Sequence, residues 1–295
     1  MKYIQKHPMT MIVVGVIGIS LSSIFVKYSS APSAVTAAWR LLWTVLLMSP
    51  VVLGRGEIRR ELFSAGKKIW ILSGISGVFL AIHFALWFES LRHTTVASST
   101  TIVCTEVIWV SLGYFLFLKG RLSGKAIAAI AVTLAGSVLI ALADSGVGGA
   151  HLYGDILSLL AAIAVAAYVL LGRVVREHAS TSVYTYIVYL SCSAALLIVC
   201  FYQELNLLGY GISALVVGLL LALFSTILGH SIFSWCLKYF SPSFVSASKL
   251  CEPVVAAILA GFLFDEIPGM LQIAGGVLIL GGVLYYSGLE RTDAK

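Results

Sequence analysis

Four charged residues of this sequence stand where charge is expensive. Arg40, Glu106, Lys249 and Glu252 each lie inside an apolar run long enough to cross a membrane. A charge at mid-bilayer costs at least about 2.5–3.5 kcal/mol on insertion scales, so each needs a partner, water or a ligand. Lys249 and Glu252 are three positions apart and so share one helix face. Two readings stand for them: a polar patch that faces a substrate, or an ion pair that locks the helix to its neighbours. Glu106 can serve as a proton or cation site, or can neutralise Arg40. Arg40 can hold a substrate carboxylate through its fork of N–H donors, or can simply balance Glu106. His83 and His230 lie in apolar runs without metal-ligand spacing and read as packing or hydrogen-bonding residues. The five cysteines fall inside apolar runs with no CxxC spacing, so they read as packing residues. Neither a metal nor a cofactor is expected.

The elements that position these residues follow from composition. The chain has 295 residues, 60% hydrophobic and 11% charged, whereas soluble domains carry about 25% charged residues. Apolar runs of about 20 residues, the length that spans a bilayer core, recur throughout. We read ten spans, at 8–28, 33–53, 68–90, 95–117, 123–142, 153–172, 182–202, 210–236, 242–264 and 269–288. All must be helices, because lipid offers no partner to an open strand. The run from Pro8 to Tyr28 is span-length and reads as a helix that stays, not as a cleaved leader. The segment from Gly54 to Lys67 is amphiphilic and fits the interface. The fold class is therefore an all-α membrane protein of ten transmembrane helices.

Charge sets the orientation. With the N-terminus inside, fifteen Lys and Arg residues fall in cytoplasmic segments and only Lys27 and Arg92 outside. This positive-inside bias places both termini in the cytoplasm of a multi-pass inner (plasma) membrane protein. The net charge of +6 does not signal nucleic acid, since the basic residues sit at span ends and not in one patch.

A shift of 146 residues superimposes the two halves of the sequence. Lys27 meets Arg173, Leu91-Arg92 meets Leu237-Lys238, Glu106 meets Glu252, Ile127 meets Ile273, and Gly136 meets Gly282. Each half holds five spans, an odd number, so the second half must be inverted. We expect units at 1–143 and 152–289, with a cytoplasmic tail at 290–295. Inverted repeats are a common plan for secondary transporters.

The segment Ser246-Ala247-Ser248-Lys249-Leu250-Cys251-Glu252-Pro253-Val254-Val255-Ala256-Ala257, then Asp265-Glu266 and the glycine pairs Gly275-Gly276 and Gly281-Gly282, resemble the EamA-type branch of the drug/metabolite transporter superfamily. The first half carries a weaker copy, with Ser98-Ser99-Thr100-Thr101 and Glu106-Val107, where Val107 replaces the proline. The resemblance covers essentially the whole chain. It implies a carrier of small organic metabolites, such as amino acids or drug-like amines, working by alternating access and in the export direction. Importers belong to the same superfamily. It also implies that Trp39 and Tyr168 lie in or near cavity-lining spans, so they join the candidate substrate-binding and coupling residues Arg40, Glu106, Lys249 and Glu252. The fifth and tenth spans are implied to pack outside the transport core. Their small-residue stripes, Ala131/Ala135/Gly136 and Gly275/Gly276/Gly281/Gly282, then read as scaffold or as the surface of a homodimer.

A polytopic membrane enzyme is the alternative. The sequence holds no HExxH, GxSxG or P-loop motif to support it. A cysteine placed at Gly148 should react with an impermeant thiol reagent only from outside, and one at Ser64 only from inside. Reaction of both from one side would refute the topology.

Overall fold

Hydrocarbon solvent forces every backbone polar group to be satisfied within the chain, and the structure is helical accordingly. A computed structural model of the chain describes residues 8–94, 96–144, 152–252, 254, 255, 258 and 269–293. Pro253, Asp265, Glu266 and Gly148, singled out above, lie outside them.

The first half contains α1 (Pro8–Ser20) and α2 (Ser22–Lys27), which form span 1, then α3 (Ser33–Gly54) as span 2. A short helix α4 (Gly56–Ser64) follows, then α5 (Lys67–His93) as span 3, α6 (Val96–Cys104) and α7 (Glu106–Leu118) as span 4, and α8 (Gly124–Asp144) as span 5. The second half contains α9 (Leu152–Arg176) and α10 (Thr181–Tyr202) as spans 6 and 7. Span 8 is composite: α11 (Gly211–Leu220), a π-helix (Leu221–Ser231) and α12 (Ile232–Cys236). Span 9 begins with α13 (Pro242–Lys249), and α14 (Met270–Asp293) is span 10. Among the described residues, seven helical spans are long and apolar enough to cross a membrane, and spans 5 and 10 carry shorter apolar segments. Large apolar side chains such as Phe115, Phe117, Ile198 and Phe201 are exposed on the molecular surface, as expected of a face that lipid wets.

The amphiphilic segment after span 2 is α4, with Leu62 buried against Val52, Val183 and Ile187 while Phe63 points away from the protein. A carboxylate oxygen of Glu61 accepts the backbone N–H of Ser180 at 2.6 Å, which fastens α4 to the start of α10 in the other half.

Packing follows the repeat. Span 3 packs on span 6, and the mate pair, span 1 on span 8, also pack together. Spans 2 and 7 pack on each other, as do spans 5 and 10. The last contact shows the symmetry residue by residue. A Cβ on Gly136 would lie 2.6 Å from the carbonyl oxygen of Gly275 and 2.8 Å from Ile279. A Cβ on Gly282 would collide with Thr133 and sit 3.0 Å from the carbonyl oxygen of Ala129. Gly136 and Gly282, Ala129 and Gly275, and Thr133 and Ile279 are all mates at the same 146-residue shift. Reciprocal contact of this kind is what a twofold axis imposes. The small-residue stripes are thus partly resolved into scaffold: Gly136, Gly275 and Gly282 form the seam between α8 and α14. Ala131 and Ala135 are exposed, and Gly281 faces open space.

The seam supplies a test. Gly136→Ala places a methyl group against a backbone carbonyl that cannot yield, so it should destabilise by about 1–3 kcal/mol through overpacking. Gly281→Ala, in open space on α14, should be neutral or slightly stabilising. Thermal melting of the two purified variants distinguishes them.

Candidate functional site

The site begins with two interrupted helices. Span 4 breaks at Thr105, whose hydroxyl donates to the Ile102 carbonyl at 2.6 Å and whose N–H turns back to the same oxygen at 3.0 Å. The next residue, Glu106, opens α7. Span 9 breaks at Leu250 and Cys251, whose N–H groups bond three residues back, to Ala247 and Ser248. The next residue, Glu252, is again helical. The mate glutamates therefore stand at the same place in the two halves, just after a mid-span break. The N-terminal end of a helix carries partial positive charge and suits a carboxylate there. Val107, in place of a proline, does not prevent the break in the first half.

Lys249 Nζ donates to Glu106 Oε1 at 2.8 Å, and both side chains are buried. The pair joins the two halves at the centre of the protein. Two of the readings left open above are narrowed by this geometry. Lys249 does lock its helix to a neighbour, through Glu106 on α7 and not through Glu252 on its own helix. Glu106 does not neutralise Arg40, because Lys249 holds it. Glu252 is buried too, and its Oε1 has no hydrogen-bond partner among the described residues.

Arg40, on α3, is fully buried. Its Nε donates to Thr226 Oγ1 at 2.7 Å and its Nη1 to Ser22 Oγ at 3.3 Å. Its guanidinium carbon lies 4.1 Å from the centre of the Phe84 ring, a cation–π arrangement. Nη2 has no partner.

These groups surround one cavity of about 40 Å³ between the halves. Arg40, Glu106, Lys249 and Glu252 all line it. So do three pairs of repeat mates: Ile19 with Val165, Val103 with Lys249, and Glu106 with Glu252. A cavity of this size has room for water and none for an organic solute until its walls part.

Tyr168 stands one layer back. Its hydroxyl meets Ser234 Oγ at 2.8 Å and its ring lies 6.0 Å from His230. Trp39 is placed elsewhere: its indole N–H donates to the Leu207 carbonyl at 2.9 Å in the connection after α10. Being next to Arg40 in sequence put it on a different face of α3. Sequence reasoning undervalued His83, His230 and Trp87, which all line the cavity. His83 Nδ1 lies 3.0 Å from the Ala161 carbonyl, so it carries the proton. His230 Nδ1 and Trp87 Nε1 are buried without hydrogen-bond partners among the described residues. Their sequence signal was position: His83 and Trp87 are four apart on α5, one helical turn.

The model of the EamA-like transporter family matches residues 8–142 and again 152–288. The chain belongs to the EamA-like transporter family. Two curated relatives are described as uncharacterized transporters. One, from Clostridium kluyveri, is 22% identical over 266 residues, covering 86% of this chain and 85% of that protein. The other, from Archaeoglobus fulgidus, is 21% identical over 246 residues, covering 81% and 83%. A crystal structure at 17% identity superposes with a TM-score of 0.78 over 98% of this chain and 99% of its own, and so shares the fold. The two family matches fall one on each half, so the EamA-like repeat and the cavity between its copies coincide.

The central ion pair can be tested directly. Lys249→Met strands the buried Glu106 carboxylate and should cost about 3–5 kcal/mol. Adding Glu106→Gln should recover most of that loss. Melting temperatures of the single and double variants form the cycle.

Proposed function

We propose that this EamA-family chain is a secondary-active carrier of small zwitterionic organic metabolites, amino acids foremost, in the plasma membrane. The observation that carries the reading is an unspent donor and an unspent acceptor on the walls of one central cavity: Arg40 Nη2 and Glu252 Oε1. A buried polar group without a partner is costly, and a ligand that carries both an anion and a cation relieves both costs at once. The formal charges of the four residues sum to zero, which suits a net-neutral ligand. Trp87 and His230 add further hydrogen-bonding capacity beside them.

Alternating access is supported by the two-copy plan. The halves at 1–143 and 152–289 meet at the cavity through mate residues, and the space is too small for a solute unless they part. We take the two halves to be related by an axis in the membrane plane, with both termini cytoplasmic. Rocking about that axis opens the cavity first to one side and then to the other. Export is the direction that the family resemblance implies. An importer or facilitator would use the same cavity.

The test is a proteoliposome uptake panel of amino acids, amines and nucleobases, with and without an imposed pH gradient. We expect saturable flux of amino acids, and loss of at least about tenfold in Glu252→Gln, which removes a charged hydrogen-bond acceptor. Preference for amines or nucleobases that lack a carboxylate would overturn the substrate class. Flux that does not saturate would overturn the carrier mechanism.

A further inference from the structure

Arg40 is a buried cation whose protein partners do not neutralise it. Its two hydrogen-bond acceptors, Thr226 and Ser22, are hydroxyls, and its third neighbour is the Phe84 ring. Of the two nearby carboxylates, Glu106 is held by Lys249, and Glu252 forms no ion pair with Arg40 among the described residues. A structural arginine in such a place would be matched with a carboxylate, since an unpaired buried charge is strongly destabilising. Hydroxyls orient a guanidinium and leave its charge available.

The orientation depends on Thr226, and Thr226 depends on the π-helix. A threonine hydroxyl in an α-helix bonds back three or four residues. Thr44 and Thr133 do so in this protein, to Arg40 and Ala129. Thr226 instead donates to the Leu221 carbonyl, five residues back, at 3.2 Å. Its single proton is spent there, so its oxygen can only accept from Arg40 Nε. Ser231, which bonds five back to the Thr226 carbonyl, continues the same winding. The mate segment 75–85 lies within the uninterrupted α5, and the mate of Thr226 is Leu80. The cradle therefore exists in one half alone, and π turns recur at functional sites.

We propose that Thr226 is the positioning residue of an anion subsite at Arg40, set by the π turn so that Nη2 faces the carboxylate of a substrate. This rests on the substrate class proposed above. The test measures binding by calorimetry to the purified protein of three amino acids and their decarboxylated amines: L-leucine and isopentylamine, L-phenylalanine and phenethylamine, L-lysine and cadaverine. Wild type should bind at least one amino acid more tightly than its amine. Thr226→Val should weaken that amino acid about tenfold, the scale of a hydrogen bond to a charged group, and leave the amine unchanged. Thr226→Ser should restore the preference. A valine variant that keeps the wild-type ratio of amino acid to amine overturns the positioning role while leaving the substrate class intact. A wild type that shows no preference for the carboxylate, or binds none of the six, overturns the substrate class and the inference with it. Should the valine variant not melt cooperatively, Thr226→Ala takes its place. If neither melts cooperatively, Thr226 is structural and the inference falls.

Discussion

A hydrocarbon medium requires charge to be neutralised locally, and the Glu106–Lys249 pair is where this chain meets the requirement. Its two members come from different halves, so the pair is also the fastening at the centre of the molecule. What surrounds it follows from that commitment. Glu106 is taken, which leaves Arg40 to hydroxyls and an aromatic face. Lys249 is taken, which leaves Glu252 without the neighbour its own helix provides. One pairing thus leaves Arg40 and Glu252, both on the cavity wall, without an ion-pair partner among the described residues. The polar groups of a largely apolar cavity are what the ion pair leaves over.

The two helical breaks make this geometry reproducible in both halves. Each stands directly before a glutamate, and Glu106 opens α7, where the backbone itself favours negative charge. Around them the scaffold is symmetric in detail, as the reciprocal contacts of Gly136 and Gly282 show. Two regular features, a seam and a pair of breaks, hold a site whose contents are irregular: one lysine, one arginine, one π turn.

Much of the scaffold was legible in the sequence, because its signals are local or periodic. Span 2 was read at 33–53 and is Ser33–Gly54, and span 7 was read at 182–202 and is Thr181–Tyr202. The 146-residue register reappears as physical contact in the seam and on the cavity walls. The site was legible in its members and not in its pairings. Helical spacing places Lys249 beside Glu252, but it says nothing about which distant helix brings a better partner, and Glu106 lies 143 residues away. Trp39 is adjacent to Arg40 in sequence, which turns its side chain about 100° around the helix, toward the Leu207 carbonyl. The π-helix left no mark at all in the hydrophobic pattern of span 8. Its winding shows only in hydroxyl bonds that reach five residues back.

Val103 and Lys249 occupy mate positions and carry different side chains. Two identical five-span proteins assembled about a twofold axis could not do this, because a lysine on one copy would stand on the other as well. Covalent fusion of the halves removes that restriction. A pocket with true twofold symmetry about an in-plane axis has no electrical component along the membrane normal. A single lysine supplies one, so the pocket gains a difference between its inner and outer ends. A symmetric pocket would accept a dipolar molecule either way round; this one has a head and a tail.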